Sequence, residues 1–298
     1  FVQNATNTDW EDISIAPDGR VFIGNFGNNN HSRKDLEILI LPDYTTWQTD
    51  TVTAKKIEFR YGDQNNFPPP SNHHVFDCEA LAYFNDSLYL FSKNWSDPFN
   101  GQVKMYVMPA QEGNYVLMPR DSANLGVIKE IAWVTGADIS DSSLYLVGSA
   151  FVWKFDFQTN PNLHEPAQLA LNHFSQKEAI SVFNEVLYIT DESTGGFGNL
   201  YSYTPARLSV EKTLTEAQSI EVRQSKKGVD ILNPYDLELN IDLYSLGGKH
   251  MTNTIHSRGQ VLNLRNIVPD DILLPGIYVL HISTPNTMSN WFKVQVSE

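Results

Sequence analysis

Apolar and polar residues alternate through most of the chain in short runs bounded by Gly, Pro, Asn and Asp, the period-two pattern of half-buried β-strands. Four stretches align with one another: WEDISIAPDGRVFIGNF from Trp10, CEALAYFNDSLYLFSKN from Cys78, GADISDSSLYLVGSA from Gly136 and KEAISVFNEVLYITDES from Lys177. Each reads as acid, aliphatic, small residue, polar turn and then an alternating strand. A third strand follows in every unit, at 35–42, 102–109, 151–157 and 199–205, and a fourth is readable at 55–61, 127–134 and 167–174. Four antiparallel strands per repeat predict the blades of a β-propeller over residues 1–205. FVQN at the start reads as another outer strand. It either completes the blade at 178–205, giving four blades, or one or more blades lie upstream; a propeller of four or five blades is expected.

Spacing between equivalent positions is uneven. Glu11 to Glu79 is 68 residues, Glu79 to Ala137 is 58 and Ala137 to Glu178 is 41, so the first two units carry long loops, 62–76 being the clearest. The repeat stops near residue 206. Residues 206–218 read as a polar linker, and 219–298 as six or seven short strands with turns at 246–249 and 274–276, a small immunoglobulin-like β-sandwich. The expected fold class is therefore all-β.

Composition narrows the function. Net charge is −14, and residues 1–205 hold 25 acids against 12 bases while the remainder is nearly balanced at 10 against 9. Phosphate contacts need clustered Lys and Arg, so a nucleic-acid partner is not expected. No apolar run approaches the roughly 18 residues of a membrane span. The one cysteine, Cys78, sits in an apolar setting and reads as a buried, inert thiol rather than a nucleophile. The chain begins with Phe and shows no signal-like segment, the expectation for a processed form or an excised piece.

The chemistry concentrates in the acid of each repeat. The first strand of a propeller blade lines the central channel, so Glu11 or Asp12, Glu79, Asp138 and Glu178 are expected to face one another at one mouth, with 25–33, 93–97 and 191–196 beside them. Two charges about 4 Å apart repel by roughly 4 kcal/mol at an effective dielectric near 20, so four carboxylates need compensation. Some protonate, or cations such as Arg33 and Lys93 pair with them, or a metal sits among them. An oxygen-only donor set suits calcium, with Glu11, Asp12, Asn28, Glu79, Asp138 and Glu178 as candidate ligands. Alternatively the acids cap neighbouring backbone amides and bind nothing. Arg33, Lys93, Asp191 and Glu192 are the candidate ligand-binding residues around the mouth. His73 and His74 read as a solvated loop pair, no third His or Cys being spaced to complete a zinc site.

IDLYSLGGKH (241–250), LLPGIYVLHIS (273–283) and FKVQV (292–296) resemble the carboxy-terminal sorting domain of proteins exported by the type IX secretion system of Bacteroidetes. That resemblance implies an extracellular or outer-membrane-surface protein whose last domain addresses the secretion machinery. NTDWEDISIAPDGRVFIGNFGNNNHSRKDLEILILP (7–42) is similar to the opening of uncharacterised bacterial propellers related to the esterase-like phytase and calcium-dependent lactonase-type folds. The expected function is binding of a small molecule or surface partner at an acidic, calcium-containing mouth. The alternatives are a calcium-dependent hydrolase of phosphoesters or lactones, with Arg33 and Lys93 holding an anionic substrate, and a structural surface protein without metal.

Overall fold

A computed structural model describes residues 1–158, 161–171, 173–192, 198–204, 220–225, 228–233, 236–252, 254–269, 271–284 and 289–296. The expected linker at 206–218, and most of 191–196, lie outside the described residues. The chain divides into two compact units, residues 1–171 with 177–205, and residues 172–176 with 206–298.

The first unit is a succession of antiparallel sheets. The first contains β1 (Trp10–Ile15), β2 (Val21–Asn25), β3 (Leu36–Leu41) and β4 (Lys55–Tyr61), hydrogen-bonded in that order. In the second, β5 (Asp77–Phe84), β6 (Ser87–Lys93) and β7 (Gln102–Pro109) continue the pattern. The chain then departs from it: β8 (Gly113–Leu117) pairs in parallel with β4 of the first sheet, and β9 (Asp121–Asn124) returns to β7. The third sheet is β10 (Gly136–Ser140), β11 (Ser143–Val147), β12 (Phe151–Asp156) and β13 (Ala167–Ala170), and the fourth is β14 (Lys177–Phe183), β15 (Val186–Asp191) and β16 (Leu200–Tyr203).

Three inner hairpins share one turn. Asn85–Asp86, Asp141–Ser142 and Asn184–Glu185 each join two strands with both residues at positive φ, between 48° and 63°. This is the mirror-image turn whose twist matches that of paired strands, and Asn and Asp tolerate its left-handed backbone best among residues with a side chain. Sheets pack face to face: Phe22, Ile38 and Ile57 of the first meet Leu81, Leu90 and Tyr106 of the second, and Val147 and Val152 of the third meet Ile180, Leu187 and Ile189 of the fourth.

Two sequence expectations need correction. The outer strand of the second repeat is the polar β9 rather than 127–134, where α1 (Lys129–Ala132) buries Ile131 and Ala132. DSAN has no apolar alternation to betray a strand, and its pairing comes from the exposed edge of β7. FVQN does not join the fourth sheet either. Val2 bridges Val52, with Gln3 N donating to Val52 O (2.9 Å) and Val52 N to Phe1 O (2.8 Å), so the opening residues lie against the segment that leads into β4.

The second unit has two sheets, β17 (Glu221–Ser225) and β18 (Gly228–Leu232) with β21, and β19 (Leu239–Ser245) and β20 (Ile255–Ser257) with β22 and β23, where β21 is Val261–Asn263, β22 Gly276–Ser283 and β23 Ser289–Val296. Ile231 of the first sheet and Ile241, Leu243, Leu280 and Ile282 of the second share its core, to which Leu264 of the helical turn α2 (Leu264–Ile267) adds. On the opposite face of β19, the Asp242 carboxylate bridges His250 Nε2 (3.1 Å) and His281 Nδ1 (3.2 Å).

Candidate functional site

The inner strands β1, β5, β10 and β14 lie side by side in chain order, and their acids separate into two layers. Glu11, Glu79 and Glu178 each place one carboxylate oxygen within 4.8 Å of the other two. The third sheet has Ala137 at this position. Strand register tracks the difference: the pairing slips between Trp10 and Ile13, between Cys78 and Ala80, and between Lys177 and Ala179, while β10 pairs regularly with β11 throughout. A slip of this kind is the mark of a β-bulge, which re-aims the side chain it carries. Each of the three glutamates sits on one.

One residue further on, Asp12 and Asp138 do something else. Asp12 Oδ1 accepts from the amide of Ile13 (2.8 Å), while Oδ2 accepts from Leu81 of β5 (2.7 Å) and Ala137 of β10 (3.2 Å). Asp138 repeats the device, with Oδ1 on Ile139 N (2.8 Å) and Oδ2 on Val182 N of β14 (2.7 Å). The inner strands belong to different sheets, so their facing amides lack ladder partners, and these carboxylates supply them. Where the second and fourth repeats have Ala80 and Ala179, the neighbour's aspartate covers the gap. The expectation that Asp12 and Asp138 join the acid ring is therefore corrected: among the described residues the carboxylates that converge are the three glutamates, and the aspartates hold the strands that carry them. Burial raises both carboxyls, Asp12 to about 7, in spite of the amides that favour its charged form.

A buried lysine pairs with one of the glutamates. Lys93 Nζ donates to both oxygens of Glu79 at 2.7 Å, both side chains being nearly inaccessible. The ammonium also lies 5.2 Å and 5.0 Å from the ring centres of Trp95 and Trp133. Burial, and then Asp77, nevertheless push Glu79 well above the usual carboxylate range, with Lys93 pulling the other way. Glu11 is raised to about 8, first by burial and then by Asp9 and Asp77.

Sequence reasoning did not place Asp9 or Asp77 in the site. The signal was present, because DWE at 9–11 and DCE at 77–79 place an aspartate two residues before the glutamate in both of the first repeats. Asp77 is fully buried, accepting from Asn28 N (2.6 Å) and Trp95 Nε1 (2.8 Å). Gly27 lies against Glu11 and Asp9 so closely that a Cβ there would collide with both carboxylates.

Arg33, Asn28 and Asp191 are engaged within the protein. The Arg33 guanidinium donates to the carbonyls of Gly27 (2.8 Å), Asn25 and Asp35 and to the Asp35 carboxylate (3.1 Å), so it organises the 25–35 turn instead of reaching toward a ligand. Asn28 donates to Phe76 O (3.0 Å) and accepts from Arg33 N (2.9 Å), so both ends of its carboxamide are engaged within the protein. Asp191 accepts from Asn199 N (2.6 Å) and the Tyr201 hydroxyl (2.8 Å), tying β15 to β16. Glu192 is exposed at the end of its described stretch. His73 is exposed, as expected, whereas His74 is half-buried: its ring packs 4.3 Å from that of His31, a residue buried completely and held to about 4 by that burial and by His74.

No family model matches the chain, and no curated protein matches it. Solved structures with which it aligns include PorZ, described as a surface component of the type-IX secretion system of Porphyromonas gingivalis, at 12% identity over 97% of this chain and 39% of PorZ, with a TM-score of 0.34. The WD40 β-propeller domain of Doa1 aligns at 12% identity over 98% of this chain and 84% of that one, TM-score 0.35. A putative 6-phosphogluconolactonase from Bacteroides uniformis aligns at 10% identity over 99% and 88%, TM-score 0.39. The chain thus spans about two fifths of the length of PorZ. Its arrangement of sheets rests on its own strand pairing and turns.

Proposed function

We propose that the protein is a binding module in which Glu11, Glu79 and Glu178 hold a hard divalent cation, calcium by the chemistry of an all-oxygen donor set, and that this cation completes the surface on which a ligand or partner docks. One observation carries the reading: three carboxylates from three different strands, each on its own bulge, bring oxygens within 4.8 Å of one another. A bound cation would favour the ionised form of Glu11, which burial and Asp9 otherwise drive toward protonation. Gly27 supports it by letting the Glu11 and Asp9 carboxylates pack directly against its backbone, where a Cβ would collide with both.

Successive up-and-down sheets with equivalent inner hairpins support the propeller reading of the first unit, with its first strands around a common axis. For the second unit, the sequence resemblance over 241–250, 273–283 and 292–296 supports an immunoglobulin-like sorting domain and a location outside the cell or on the outer membrane. The hydrolase reading gains nothing, since Arg33 and Lys93 are both paired internally.

Calorimetric titration of calcium into the chelator-treated protein tests the proposal, with the melting temperature followed in parallel. Binding heat and a rise in melting temperature are expected, both weakened at least about tenfold in apparent affinity by Glu178→Gln. Absence of heat and of any shift at millimolar calcium overturns it.

A further inference from the structure

A concave site lies in the first unit, between the 62–76 loop and one end of β7. Its volume is about 470 Å³, within the range of roughly 300–1,000 Å³ typical of small-molecule pockets. The loop that forms one wall is built in rather than loose. Gln64 Nε2 donates to His31 O (2.8 Å), Gly62 N to Leu117 O (2.7 Å), and Asp97 N to Ser71 O (3.1 Å), while the carbonyl of His74 accepts from Trp95 N (2.7 Å). Such a wall needs little ordering when a ligand arrives.

The lining has a definite chemistry. Asn65, Asn72 and Gln102 contribute carboxamides, each able to donate and to accept. Asp63 and Lys104 face the same space as a pair, Nζ to Oδ2 at 2.6 Å, with the Tyr106 hydroxyl also on Asp63 at 3.2 Å. Lys104 Nζ lies 4.5 Å from the centre of the Phe76 ring, so the neutralised ion pair sits against an aromatic face. A free anion would be repelled by Asp63 and a free cation by Lys104. A polyol meets neither penalty, because a hydroxyl can accept from Lys104 and an adjacent hydroxyl can donate to Asp63. Carboxamides satisfy further hydroxyls whichever way these point.

We infer that this cavity binds a neutral sugar of one or two rings. It is independent of the glutamate cluster and requires no metal. The test uses the whole chain in chelator, titrated with glucose, galactose, mannose, arabinose, N-acetylglucosamine, maltose and cellobiose while the side-chain amide signals of Asn65, Asn72 and Gln102 are followed by NMR. At least one of these sugars is expected to move all three signals saturably, with a dissociation constant of about 10 mM or tighter. Asn65→Ala combined with Asn72→Ala, both exposed positions, is expected to weaken that sugar at least about fivefold while leaving the melting temperature unchanged. No saturable shift from any sugar at about 100 mM, or affinity unaltered in the double variant, overturns the inference.

Discussion

Replacing Lys93 by Met removes the cation from a buried carboxylate cluster at nearly constant volume. Both oxygens of Glu79 then lose their 2.7 Å partner in a site where each member of the pair is about 5% exposed. Breaking a buried pair from one side costs about 3–5 kcal/mol, because the survivor stays desolvated and unpaired. Protonation of Glu79 limits the loss, so it should be largest at pH 8 and shrink toward pH 5. For a unit of this size, such a loss lowers the melting temperature by on the order of 10 °C. Urea unfolding in chelator at both pH values measures it. Two controls isolate the cause: Lys93→Met with Glu79→Leu should recover most of the stability, and calcium should stabilise Lys93→Met more than the native protein. A loss under about 1 kcal/mol in the single variant, or a double variant no better than the single, would refute the view that the pair compensates a strained acidic centre.

Other consequences are measurable in the same way. Asp12, raised from 3.8 to about 7, holds its proton more tightly when folded, so its contribution to stability is present in acid and declines as pH rises through 7. Relative to Asp12→Asn, the native protein should therefore lose on the order of 2–3 kcal/mol between pH 5 and pH 8, read from denaturant curves. Asp242 is shifted the other way, held down by its hydrogen bonds to His281 and Thr254 against the burial that raises it, so its stabilisation is complete above the ordinary carboxylate range and fades as pH falls below 3.8. Asp242→Asn should flatten the acid-unfolding limb of the second unit. Gly27→Ala should cost about 1–3 kcal/mol by crowding Glu11 and Asp9, and should weaken calcium binding together with Glu178→Gln.

The repeat was legible because each inner hairpin sets a short apolar run on either side of a turn carrying Asn or Asp, so these strand positions followed from pattern. Convergence of Glu11, Glu79 and Glu178 was legible too, as equivalent positions in equivalent strands. The separation of the aspartates was not, since Glu11 and Asp12 are adjacent in sequence and only the register slip after Trp10 sends them to different tasks. Nor could periodicity reveal the internal partners of Arg33 and Asn28, which are set by how the 25–35 turn folds back on itself. β9 escaped for a related reason: its four residues carry no apolar face, and it is a strand because β7 offers an edge.

β8 pairs with β4 across some fifty residues of chain, from Ile57 opposite Gly113 to Tyr61 opposite Leu117. An outermost strand normally offers a row of free amides and carbonyls to any extended polypeptide nearby, an invitation to aggregation. Here the neighbouring repeat has already accepted that invitation on its own molecule's behalf. The first two repeats are thereby latched together, and neither can peel away without releasing the other. A protease cut in the exposed Asp97–Asn100 turn should leave two fragments that migrate as one until denaturant opens the latch.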